Sequence, residues 1–165
     1  MWSLFLLALL SSCNSASEKA ATYSNEIIQH QIEIIDAIDS LKTSFRDYKG
    51  QEMDYAYINL QKSIKDGLRK LDNLPIHKND STYHHEAELL FKTYESLSEN
   101  QIPQIIELLN VPDSSFTPDH QNQVFMLQSD INLLLEASHD RFIEAQVEFG
   151  QKYGVEFEQA EVEED

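Results

Sequence analysis

Met53, Tyr57, Leu60, Ile64, Leu68, Leu71 and Leu74 recur in steps of three or four residues with polar side chains between them. A half-buried strand would alternate every second residue, so this spacing marks one face of an amphipathic helix. It predicts a helix over about residues 51–74. Pro75 ends it, because proline has no N–H to donate and disfavours the helical state of the preceding residue. Such a helix is stable only when its stripe is buried against others, so the chain must supply partners for it.

Three further segments carry the same period. The first covers about residues 17–48, with Ile27, Ile28, Ile32, Ile35, Ile38, Leu41 and Phe45 on one side and Lys49-Gly50 as its stop. The third follows Asn79-Asp80-Ser81, three consecutive candidate N-caps, and uses Tyr83, Ala87, Leu90, Tyr94 and Leu97. Pro103 cannot donate to the carbonyl of Glu99, so a kink or break is expected near Asn100 before Ile105, Ile106, Leu108 and Leu109 resume the face. Residues 110–117 lack a period and read as a loop. The fourth segment opens on Thr117-Pro118-Asp119, a cap, a proline at the first helical position and an acid in the first turn. Its stripe passes through Val124, Leu127, Ile131, Leu135, Phe142 and Phe149 to a stop at Gly154. The fold expected is all-α, an up-down-up-down four-helix bundle. Its core is drawn from Ile28, Ile35, Ile38 and Phe45, then Tyr57, Leu60, Ile64 and Leu71, then Leu90, Tyr94 and Leu97, and finally Leu127, Ile131, Leu135, Phe142 and Phe149.

Composition narrows the function. The 165 residues fit one domain. Twelve Lys and Arg stand against 29 Asp and Glu, for a net charge of −17, which argues against a nucleic-acid partner because phosphate must be met by a basic surface. Four glycines and four prolines are too few for a many-turned β sandwich. One cysteine cannot form an internal disulfide.

That cysteine ends a distinctive leader. Trp2 to Leu10 is apolar except for Ser3, too short to span a bilayer but of the length of a signal-peptide core. Leu10-Ser11-Ser12-Cys13 resembles the bacterial lipobox. The resemblance implies a diacylglycerol thioether on Cys13 and cleavage just before it. No Lys or Arg precedes Cys13, whereas a signal peptide opens on a cationic region, so the start of translation is expected upstream of Met1. The divisions are then a lipoprotein signal peptide over 1–12, lipidated Cys13 and a polar tether over 13–22, the bundle over 23–154, and an acidic tail over 155–165 that carries no base and reads as solvated. With the lipobox, the helical plan and segments such as Tyr23-Ser24-Asn25-Glu26-Ile27-Ile28-Gln29, the chain resembles small helical surface lipoproteins of Gram-negative bacteria. No activity or catalytic residue attaches to that family, so the resemblance implies an address, the outer membrane of the cell envelope, and no mechanism.

Chemistry-bearing constellations are sparse. A di-metal carboxylate bundle needs two Glu-x-x-His pairs aimed inward. Here one such spacing lies in a long helix, Glu136 to His139, with Glu136 expected to face water and His139 the boundary of the stripe. His77, His84 and His85 are the candidates for a weak metal site, and solvated histidines near helix ends are the plainer expectation. His120, at the start of the fourth segment, should lie at the opposite end of the bundle from His84. Isolated Gly50, Gly67, Gly150 and Gly154 form no phosphate-binding loop, and nothing resembles a nucleophile elbow. The expectation is a non-enzymatic protein with no catalytic residue and no cofactor. It would be attached to the membrane through Cys13 and would bind an envelope protein partner or serve as a structural element. A metal- or small-ligand-binding envelope bundle is the alternative.

Overall fold

The computed structural model describes residues 10–47 and 50–157, with side chains from residue 16 to residue 46 and from residue 50 onward. Five α-helices follow one another: α1 (Leu10–Asp47), α2 (Gly50–Asp72), α3 (Thr82–Glu99), α4 (Gln101–Leu109) and α5 (Pro118–Tyr153). Single 3-10 turns, His77–Asn79 and Asp113–Ser115, lie in the two longer connections. The described residues contain no strand. α3 and α4 are one arm broken at Asn100, which leaves the regular helical geometry (φ −116°, ψ −68°) while its N–H still donates to the carbonyl of Ser96 at 3.0 Å. Pro103 sits in the first turn of α4, where a missing N–H costs nothing. Each long helix packs on the next and α5 closes back on α1, giving an all-α up-down-up-down four-helix bundle.

The tightest packing is central. Gly67 of α2 is buried, and a Cβ built there would meet Ile34 Cδ1 of α1 at 3.0 Å and the Phe91 ring of α3 at 3.6 Å. The absent side chain lets three helices approach one another, which offsets the roughly 1 kcal/mol that Gly costs inside a helix. Around it Ile34, Ile64, Leu90 and Phe91 are wholly buried. Burial of each such side chain contributes about 1.5–3 kcal/mol.

The buried face of α1 differs from the expected one. It runs through Ala20, Tyr23, Ser24, Ile27, Ile34, Ala37 and Leu41, while Ile28, Ile35, Ile38 and Phe45 flank it half-buried. Isoleucines cover nearly half the circumference of this helix, and small residues at the closest contacts decide its rotation. α1 also continues without interruption through residues 13–22, the expected tether, and Ala20 within it is fully buried. The expected signal-peptide residues 1–9 lie outside the described residues, as do Tyr48 and Lys49 of the expected α1 stop; Gly50 opens α2 instead.

α5 is buried unevenly. Ser138, Phe142, Ala145 and Phe149 are inside, whereas Leu127, Ile131 and Leu135 of its first half are only half-covered because α1 reaches α5 only near the end that carries Ser17. Gly154, at φ +68°, terminates α5 with Val155 N–H bonded to the carbonyl of Gly150 at 3.0 Å, the pattern of a Schellman cap. The start of the expected solvated tail is therefore packed: Val155 and Phe157 rest on the core, and the Phe157 ring occupies the place a Cβ on Gly150 would need. Residues 158–165 lie outside the described residues.

Phe91→Ala should lower the free energy of unfolding by about 3–5 kcal/mol, a large cavity at the three-helix contact. Phe125→Ala, at a residue 70% exposed, should change it by less than about 0.5 kcal/mol. Urea denaturation of the two variants measures both, and similar losses would contradict this core.

Candidate functional site

The α2–α3 connection folds over the end of the bundle where α1 enters and α5 leaves. Lys78 (φ 48°) and Asn79 (φ 60°) both adopt the left-handed conformation, which turns the chain sharply enough to lay the His77 ring inward. His77 meets Tyr23 at 5.8 Å, Phe149 at 5.7 Å and Tyr153 at 4.8 Å between ring centroids. Its Nε2 is buried with no hydrogen-bond partner among the described residues. Tyr23 Oη lies 3.1 Å from His84 Nδ1, and the wholly buried Ser24 donates to Tyr83 Oη at 3.3 Å. Asp80 fastens this end: its Oδ2 accepts from Lys152 Nζ at 2.7 Å and Tyr153 Oη at 3.1 Å, and these donors hold its carboxyl below the usual carboxylate range. Lys78 and Lys152 both stand over the Tyr153 ring, at 5.2 and 5.4 Å.

Burial pushes the Tyr23 phenol up to about 12, with Asp80 adding to the effect, and raises Tyr83 further. Both phenols are neutral at any physiological pH. Burial acts on the histidines in the opposite sense, because their charged form is the protonated one. It lowers His77, with Lys78 assisting, and lowers His84 against the pull of Glu88 and Asp72.

Three of the four remaining histidines have a structural place. His139, on the boundary of the stripe as expected, sets Nε2 2.6 Å from Tyr94 Oη and joins α5 to α3; burial lowers it and pushes the Tyr94 phenol up to about 12. Thr93 Oγ1 with Ser138 Oγ (3.0 Å) and Arg141 with Glu86 (3.6 Å) continue the same seam. His30 is lowered by burial and by Lys70, which itself bonds Glu33 at 2.9 Å. His120 takes the usual place of Glu in a capping box: Thr117 N–H donates to His120 Nδ1 at 3.1 Å and His120 N–H to Thr117 Oγ1 at 3.4 Å. It sits at the far end of the bundle from His84, against Phe116.

Of the three histidines weighed for a metal, the structure sets His77 and His84 each against the Tyr23 ring and leaves His85 exposed. Glu136 is exposed too. Among the described residues no group of three or more His, Cys, Asp or Glu is placed to hold a metal ion. Cys13 falls in the first turns of α1. Among the described residues no helix is long and apolar enough to cross a membrane.

Two open grooves lie elsewhere on the surface. One, of about 470 Å3, lies between α1 and α2 beside Tyr55; the other, of about 510 Å3, lies between α4 and α5 beside Met126. The latter leads onto the outer side of α5, where Phe125, Met126 and Leu133 are 70, 65 and 63% exposed. Sequence reasoning assigned α5 a single stripe and missed this second one, although the apolar residues off the main stripe were its signal. Comparison of the chain with family models, with curated proteins and with solved structures finds no match in any of the three.

The pH dependence of stability has a definite sign. Unfolded histidine titrates near about pH 6.5, and the depressed folded values mean that the unfolded chain binds more protons below that pH. The histidine contribution is complete above about pH 6.5 and is lost as pH falls through the lower folded values. Relief of carboxylate repulsion on acidification acts oppositely, so the variant difference isolates the effect. His84→Gln and His139→Gln should each lose less stability than the parent chain between about pH 7 and pH 5 in urea titrations. Identical pH slopes would contradict the assignment.

Proposed function

We propose that this protein is a lipid-anchored, non-enzymatic bundle of the bacterial cell envelope that binds a protein partner, with Cys13 as the lipidated residue. The observation that carries the reading is the sequence Leu10-Ser11-Ser12-Cys13 at the end of an apolar leader. Cysteine is the side chain whose thiol makes the diacylglycerol thioether, and the small residues before it suit a narrow peptidase site.

The geometry supports a short attachment. α1 is continuous from Leu10, and the first wholly buried one among the described side chains is Ala20, about 10 Å of helix beyond Cys13 at ~1.5 Å per residue. Ser17 Oγ donates to the carbonyl of Gly154 at 2.7 Å, so the bundle begins almost at the anchor. The Tyr23–His77 end then faces the bilayer and the α4–α5 end points away from it. A net charge of −17 repels the bundle from anionic headgroups and keeps it upright on its lipid rather than lying on the surface. Two or three acyl chains on one cysteine hold firmly where a single chain would not.

Cys13→Ala should move the protein from the membrane to the soluble fraction of fractionated cells, and mass spectrometry of the parent chain should find an N-terminal diacylglyceryl cysteine. A Cys13→Ala protein that stays with membranes after a high-salt wash would overturn the anchoring.

A further inference from the structure

The outer side of α5 has a composition of its own. At about 3.6 residues per turn, Phe125, Met126, Leu133, Ile143 and Val147 fall within roughly 100° of one another, opposite Ser138, Phe142, Ala145 and Phe149. All five are exposed, from 47% at Val147 to 70% at Phe125. Met126, Leu133, Asp140 and Val147 are spaced by heptads, and Ser129, Glu136 and Ile143 form the companion row, which is the geometry that receives a second helix. The same side carries Glu136, Asp140 and Glu144, all exposed, while the exposed Asp119, Asp130 and Glu148 lie along its edge. Neither base of α5 is turned to it, since Arg141 reaches Glu86 and Lys152 reaches Asp80.

From this we infer that the outer face of α5 is a docking surface for a cationic amphipathic helix of a partner protein, its apolar stripe laid on Met126, Leu133, Ile143 and Val147 and its Lys or Arg side chains paired with Glu136 and Asp140. The inference rests on the partner-binding half of the reading above and is independent of the anchor. Charge decides the occupant. Self-pairing of α5 in parallel sets Glu136 on Glu136 and Asp140 on Asp140, and the antiparallel register that stacks Leu133 on Ile143 sets Glu136 on Asp140, so both of these arrangements bury like charges, which costs several kcal/mol. Helices that lie on bilayers carry Lys and Arg beside their apolar face, the reverse of this one. An apolar stripe interrupted by two carboxylates is complemented by a stripe interrupted by two cations.

The test is fluorescence anisotropy of a labelled peptide of about three heptads, with Leu and Ile along its seam and Lys on its flanks, titrated with the full-length protein. Saturable one-to-one binding is expected. Leu133→Ser, Ile143→Ser and Val147→Ser combined leave the charge unchanged and should weaken it by about tenfold or more. Glu136→Gln with Asp140→Asn should weaken it and flatten its salt dependence. Tyr55→Ser with Ile58→Ser, at equally exposed positions on α2, should leave it unchanged. Equal binding by the Ser triple variant, or of a peptide whose Leu and Ile are replaced by Ser, would reduce the effect to general attraction to an acidic protein and overturn the inference. So would absence of binding, micromolar self-association abolished by the same triple variant, or preferential binding to anionic phosphatidylglycerol vesicles. Failure here with Cys13→Ala still released from membranes leaves the anchored bundle standing and removes only this surface.

Discussion

Three helices meet at a residue with no side chain. Gly67 lets Ile34 of α1 and Phe91 of α3 touch the backbone of α2, and everything else is arranged on that pillar. The contact fixes the rotation of α1, because Ala20, Ser24 and Ala37 must face inward for the helices to stay this close, and the bulkier isoleucines at 28, 35 and 38 are turned to the flanks. It also fixes where α3 points, and α5 is attached chiefly to α3, by Tyr94 with His139, Thr93 with Ser138 and Glu86 with Arg141.

The consequence is a bundle closed at one end and open at the other. At the closed end Tyr23, Phe149 and Tyr153 surround His77, and the Asp80 carboxylate ties the α2–α3 connection to the last turn of α5. The first half of α5 has neighbours on one side only, α4 and the end of α3. A helix that needs just one side for folding has the other available for binding, and here that other side is apolar and acidic. An anchor at Cys13 adds a direction: the closed end stands by the bilayer and the free half of α5 stands away from it, where a partner can reach.

The periodic spacing in α2 made its stripe legible, and Leu60, Ile64 and Leu71 are buried as the pattern requires. Leu90, Tyr94 and Leu97 of α3, the break at Asn100 and the Thr117-Pro118 start of α5 were legible for the same reason, since each has a local cause. The rotation of α1 was not, because Ala and Ser at the closest helix contacts carry little hydrophobic weight in a sequence while deciding the packing. The packed start of the tail was hidden because its cause is non-local: Phe157 fills the space left by Gly150. The histidines illustrate the limit most plainly. Their residue types suggest metal or pH chemistry, whereas contacts with Tyr23, Tyr94 and Thr117 give His77, His84, His139 and His120 places in packing and capping that only the fold reveals.

The measurement that bears most directly on a bundle held by its three-helix contact and open along half of α5 is native-state amide hydrogen exchange. Amides around Ile34, Gly67 and Phe91 should exchange only through global unfolding, and those of residues 118–137 should open at a distinctly lower free energy. Uniform protection along the whole of α5, equal to that around Gly67, would contradict the account.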